Sequence, residues 1–331
     1  MGWFNDLIGK VSRAETVDFV LTPALTVNGQ TPSLATLTAD ETYLQIDVKA
    51  LRLPFKREGV TRYHGLVHAF ADLPGRSGQA AQFSSATRPA ALAGLDPKHV
   101  SNVLTIDKRV VGPTPWSGGD LQLQIGLFSV VEQDLAAPFL STITALSDKV
   151  GGAFVATAKP FIDIIGAGVQ ALTAKEGSVK LEVGLDIALT PPKPGYYAVI
   201  AAAKNRLDGA TFDLDPNDFR LRVNGAPYTD KPYLVFGVSA VTQQERWGEI
   251  EDLRKAYQEL RAAIAANKQD DATEAFTVFR RLAKISPELI SSDADRLIAK
   301  VNTMLIDAFG QANRSKSLDA RAPAFEALAL Y

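Results

Sequence analysis

The texture of the chain changes near Val241, and that change constrains its fold more than any motif. Of 24 Gly and 18 Pro, only Gly248, Gly310, Pro287 and Pro323 lie beyond it. Glycine and proline punctuate turns and interrupt helices. The part before Val241 therefore reads as strands and turns with one helical interruption, and the part after it as helices.

Before Val241 the hydrophobic period is two. Thr42 to Lys49, Asp120 to Ile125 and Ser178 to Val183 alternate apolar and polar residues, the pattern of strands buried on one face. Further strands are expected at 16–21, 60–73, 100–106, 196–203, 218–223 and 232–240. Turn signals such as Val27-Asn28-Gly29, Leu73-Pro74-Gly75 and Val223-Asn224-Gly225 separate the runs. Many short strands without regular intervening helices predict an antiparallel β-sandwich over 15–241, with a barrel as the alternative closure. Within it, Phe139, Ile143, Leu146, Val150, Phe154, Phe161, Ile165 and Val169 recur at steps of three or four or their multiples, predicting an inserted helical hairpin at about 134–174.

After Val241, Thr242 and Glu245 have the spacing of a capping box. Ile250, Leu253, Tyr257, Leu260 and Ile264 follow as an apolar stripe. Asp271 with Glu274 predicts the start of a second helix, Ser286-Pro287 its end, and Ile290 to Phe309 a third, with a final one near 316–329. The fold class expected is thus α+β: an amphipathic helix over 1–14, the sandwich with its insert over 15–241, and an α-helical bundle over 242–331.

Composition narrows the function. The formal net charge is −2, from 35 Lys+Arg against 37 Asp+Glu, and neither side of Val241 has the basic excess of a nucleic-acid binder. The chain has no cysteine, which excludes disulfides, thiolate metal sites and cysteine nucleophiles, and fits a reducing cytoplasm. The first residues have no basic segment followed by a signal-length apolar core, which predicts an unprocessed start.

Two constellations invite a chemical reading. Asp213, Asp215, Asn217 and Asp218 place oxygens at the spacing of the front of a calcium loop, but Asp218 stands where the sharp turn needs Gly and Asn224 where a closing Glu belongs. A turn in which these side chains cap their own backbone is the plainer explanation. His64 and His68, with Asp72, alternate as a strand does. Residues four apart on a strand stand roughly 13 Å from one another, too far to share one ion. No nucleophile elbow or phosphate loop is present, so no catalytic residue and no cofactor is assigned.

Apolar segments are the remaining signal. Trp3, Phe4, Leu7 and Ile8 form one side of the N-terminal helix, suited either to docking on the body or to a membrane or partner contact. Between Val150 and Leu172 only Lys159 and Asp163 are charged, and Phe154, Phe161 and Ile165 line the segment. Each central charge costs roughly 2.5–3.5 kcal/mol on insertion, against about 0.3–0.6 returned by each large apolar residue. Spontaneous spanning is therefore unfavourable, although Lys159 and Asp163 could pair in an oligomer.

The leading expectation is a non-catalytic cytoplasmic protein-interaction or adaptor module with a protein partner. A conditional membrane-binding or pore-forming effector using the N-terminal helix and the insert is one alternative. A calcium-dependent or hydrolytic module is the other. Distinctive function is expected before Val241 rather than in the C-terminal helices.

Overall fold

The computed structural model describes residues 4–6, 8–9, 18–53, 57–58, 61–75, 80–86, 103–131, 179–203 and 207–310. The insert expected at 134–174 and the helix expected at 316–329 lie outside the described residues.

Two open sheets form the body. The larger runs β12 (Ala226–Pro227), β11 (Leu221–Val223), β10 (Phe212–Leu214), β1 (Asp18–Val27), β9 (Gly195–Ala202), β13 (Tyr233–Val241), β2 (Tyr43–Arg52) and β6 (Val103–Pro115). The smaller runs β3 (Arg57–Glu58), β4 (Thr61–Pro74), β7 (Leu121–Val131) and β8 (Val179–Leu189), with β5 (Ala80–Ala86) also on β4. The alternation read from sequence sets the inner faces. Leu44, Ile46 and Val48 of β2, Val67, Ala69 and Ala71 of β4, Leu123, Ile125 and Leu127 of β7, and Leu234, Phe236 and Val238 of β13 share one core. At Asn28-Gly29 both residues have positive φ, 50° and 73°, and Val27 and Gln30 exchange backbone hydrogen bonds around the turn.

The outer face of the larger sheet is also covered. Residues 207–228 fold over one end, burying Leu214 and Leu221 against Ala198, Ile200 and Val235. The C-terminal helices seat on the other end. α1 (Glu251–Ala265), α2 (Gln269–Ile285) and α3 (Ser291–Gly310) pack around Trp247, which meets Tyr257 and Phe279 edge-on at 5.1 and 5.7 Å between ring centroids.

This architecture corrects the expected fold class, α+β with an antiparallel sandwich followed by an α-helical bundle. Strand residues dominate the described part of the chain, and the helices are a hairpin-like C-terminal part. The larger sheet is mixed, because β10 runs parallel to β1. Both sheets are open, so no barrel forms. The helical part is tied to the body by buried polar contacts. Tyr43 Oη donates to Asp293 Oδ2 at 2.9 Å and accepts from Ile290 N–H at 3.0 Å, while Gln244 N–H donates to the same carboxylate oxygen at 2.6 Å. Thr242 and Glu245 do not cap a helix. α1 starts at Glu251 behind a 3-10 turn at Trp247–Glu249, because β13 stays extended to Val241 and Trp247 must reach the helical core.

Candidate protein-docking groove

α1 and α2 meet in a tight hairpin whose loop closes by main-chain bonds. Asn267 takes φ +55°, with Asn267 N–H bonded to Ile264 O at 2.9 Å and Lys268 N–H to Ala263 O at 3.0 Å. This is the Schellman closure, with asparagine in the left-handed position usually given to glycine. The short loop forces the two helices antiparallel and side by side.

Each helix then carries two stripes. Leu253, Ala256, Tyr257, Leu260 and Ile264 of α1, and Ala272, Ala275, Phe279 and Ala283 of α2, face the helical core. Beside them lie Glu259, Ala262 and Ala263 on α1 with its C-cap Ala266, and Asp271, Glu274 and Val278 on α2 with Ala275 shared between core and groove, both sets at i, i+3, i+4 and i+7. Together with Lys268 they line an open groove of about 540 Å³. Alanines keep its floor low, and Val278 stays 42% exposed. The rim is acidic. Lys268 Nζ lies 3.2 Å from Asp271 Oδ2, whereas Glu259 and Glu274 enter no ion pair among the described residues.

A second polar group lies on the outer face of β2 and β6. Gln45 Nε2 donates to Asp47 Oδ2 at 2.8 Å, Lys49 pairs with Asp107 and sits 3.8 Å from Asp47, and Arg109 Nε is 4.0 Å from Asp47. Arg246 pairs with Glu249 in the adjoining 3-10 turn. Burial pushes the Glu249 carboxyl up, and the charges of Arg246 and Arg109 pull against that shift. Cations and anions here neutralise one another, so the group ties the turn to the sheet.

The calcium-like stretch is a set of local caps. Asp213 Oδ1 accepts from Thr26 Oγ1 at 2.8 Å and from Gly29 N–H at 2.9 Å, and Arg222 lies 3.7 Å from its other oxygen. Burial raises this carboxyl, but the hydrogen bonds from Gly29, Thr26 and Leu214 and the Arg222 charge outweigh burial and hold it below the usual range. Asp215 Oδ1 accepts from Asn217 N–H at 2.9 Å, and Asp218 Oδ2 receives Arg220 at 2.6 Å. Among the described residues no three His, Asp or Glu side chains gather as a metal's ligand set.

The N-terminal apolar residues divide. Trp3 and Leu7 lie outside the described residues, as do Phe154, Lys159, Phe161, Asp163 and Ile165. Phe4 is fully buried, and its ring stands 3.0 Å from where a Cβ on Gly126 would be. Ile8 lies 2.9 Å from the corresponding position on Gly184. His68, Gly126 and Gly184 are register neighbours on β4, β7 and β8. The two glycines leave a notch beside His68 on the outer face of the smaller sheet, and Phe4 and Ile8 fill it, with the Phe4 and His68 ring centroids 6.3 Å apart. Among described helices none is long and apolar enough to cross a membrane.

The large aromatic residues near the strand ends and loops are mostly interior. Trp116, Tyr197, Tyr233 and Trp247 are buried, while Tyr196 and Tyr228 are half-buried against the outer core of the larger sheet. The groove was not read from the sequence. Its signal, a small-residue stripe repeated on two successive helices around Ala262, Ala263 and Ala275, is indistinguishable there from an ordinary solvated face. No family model, curated protein or solved structure matches the chain.

Proposed function

We propose that this chain is a non-catalytic protein-interaction module of the cytoplasm, in which the two-sheet body holds the α1–α2 hairpin as a docking element. The observation that carries this reading is the groove between Ala262, Ala266 and Val278, an apolar floor left open between two rigid helices. Helix grooves of this kind accept a partner's apolar anchors with little reorganisation. The cysteine-free composition supports a reducing compartment.

Site-specific photo-crosslinking in the native host tests it. A benzophenone amino acid is placed at Ala262, at Val278 and at the exposed Thr303 on α3, which lies outside the groove. One reproducible protein adduct is expected from both groove positions and not from Thr303, and it is lost when Ala266→Trp fills the groove. Absence of any groove-specific adduct contradicts the reading.

A further inference from the structure

We infer that the occupant of the α1–α2 groove is a basic amphipathic helix of another protein, an inference that rests on the docking reading of the same groove. Three observations lead there. The floor is apolar and low, formed by Ala262, Ala263, Ala266 and Ala275, so a ridge of larger side chains fits between the two helices. Each lining stripe runs from i to i+7, about 10 Å at 1.5 Å per residue, which matches two turns of a third helix. The charge above the floor is one-sided. Asp271 is balanced by Lys268, and Glu259 and Glu274 flank the floor from opposite helices without an ion-pair partner among the described residues. An extended strand gains nothing here, since the walls are helices whose backbone groups are already bonded along their own axes. The occupant therefore presents Leu- or Ile-type anchors at i, i+3, i+4 and i+7, with Lys or Arg on both flanks. Its attraction is exposed and hence screened by salt, over about 10 Å at 0.1 M.

The probe is a pair of labelled model helices. One has leucine at i, i+3, i+4 and i+7 with lysine elsewhere, and the other has glutamate in place of every lysine. Anisotropy titration uses the full chain, its Glu259→Lys/Glu274→Lys variant and its Ala262→Phe variant. All three are checked by circular dichroism, and the substituted positions are on the surface. The cationic helix is expected to bind about tenfold tighter than the anionic one at low salt and to lose most of that preference at 0.5 M salt. Reversing both glutamates should invert the order, and Ala262→Phe should abolish binding of either helix. Equal binding of the two helices with loss in Ala262→Phe overturns the charge inference and leaves the docking reading standing. No binding of either helix overturns the inference, and the docking reading is then decided by the crosslinks at Ala262 and Val278. Unchanged binding to Ala262→Phe places any interaction elsewhere and overturns the inference as well.

Discussion

Asp293 is almost fully buried and accepts from Tyr43 Oη, Gln244 N–H and Arg296 Nε, the last at 2.6 Å. A buried carboxylate is tolerated only when donors replace its water. Burial, then the Asp293 charge, pushes the Tyr43 hydroxyl far above its ordinary range, so it stays a donor at all physiological pH. Tyr43→Phe should cost about 1–3 kcal/mol, and Asp293→Ala about 3–5 kcal/mol, because the latter strands buried donors. Urea denaturation of both variants measures this, and equal costs would contradict the ranking. His68 offers a pH test. Burial pushes its pKa down to about 4, so between the unfolded value near 6.5 and that value the unfolded chain binds the extra proton. Stability should be full above about pH 6.5, fall by about 3 kcal/mol toward pH 4 and level below it, from this residue alone. His68→Leu should flatten the curve between pH 6.5 and 4.5 relative to wild type, and a curve unchanged by that substitution would contradict the burial argument. Little of this was legible in the sequence. The position of His68 on a strand followed from alternation, but the partner of Asp293 is 250 residues away, and no local pattern records it.

At the scale of elements, the strands were the readable part. Expected runs at 60–73 and 232–240 correspond to β4 at Thr61–Pro74 and β13 at Tyr233–Val241, because short apolar runs bounded by turn signals mark strands even where both faces are buried. β10 and β12 were not read, since two- and three-residue strands have no period. The helix stripe at Leu253, Tyr257 and Leu260 was sound, whereas its start was not. The Thr242 and Glu245 pattern was local, while the position of Trp247 in the helical core set where the turn could begin. The N-terminal helix was read as amphipathic, but its receptor was invisible, because Gly126 and Gly184 are distant in sequence and neighbours only in register. Phe4→Ala should destabilise by about 3–5 kcal/mol through the lost packing. Gly126→Val should instead displace the helix, since its Cβ would crowd Phe4 and Phe128 at 3.0 Å. Faster amide exchange at residues 4–9 in Gly126→Val is the expected result, and unchanged exchange there would show that the notch does not seat the helix.

For the whole molecule, the boundary at Val241 divides textures and not independent bodies. The expected fold class, an antiparallel sandwich followed by a helical bundle, gives way to two open sheets with a hairpin-like helical part, because sequence patterns report each element's own face. They do not report the contacts of Tyr43 and Gln244 that fix the helices to the larger sheet. Those contacts tie α3 and the segment entering α1 to the larger sheet, and the α1–α2 hairpin packs on them through the core around Trp247. The candidate groove accordingly lies beyond Val241, on the side where the sequence alone gave least reason to look. Its lining residues are mostly alanine and exposed acid, with Val278 and Lys268, types that mark a function only when two helices bring them together. Hydrogen exchange of the purified chain with and without the protein captured at Val278 tests the central claim most directly. The account predicts slowed exchange within residues 259–278, with the outer faces of both sheets unchanged. Protection confined to the sheets, with 259–278 unaffected, would contradict it.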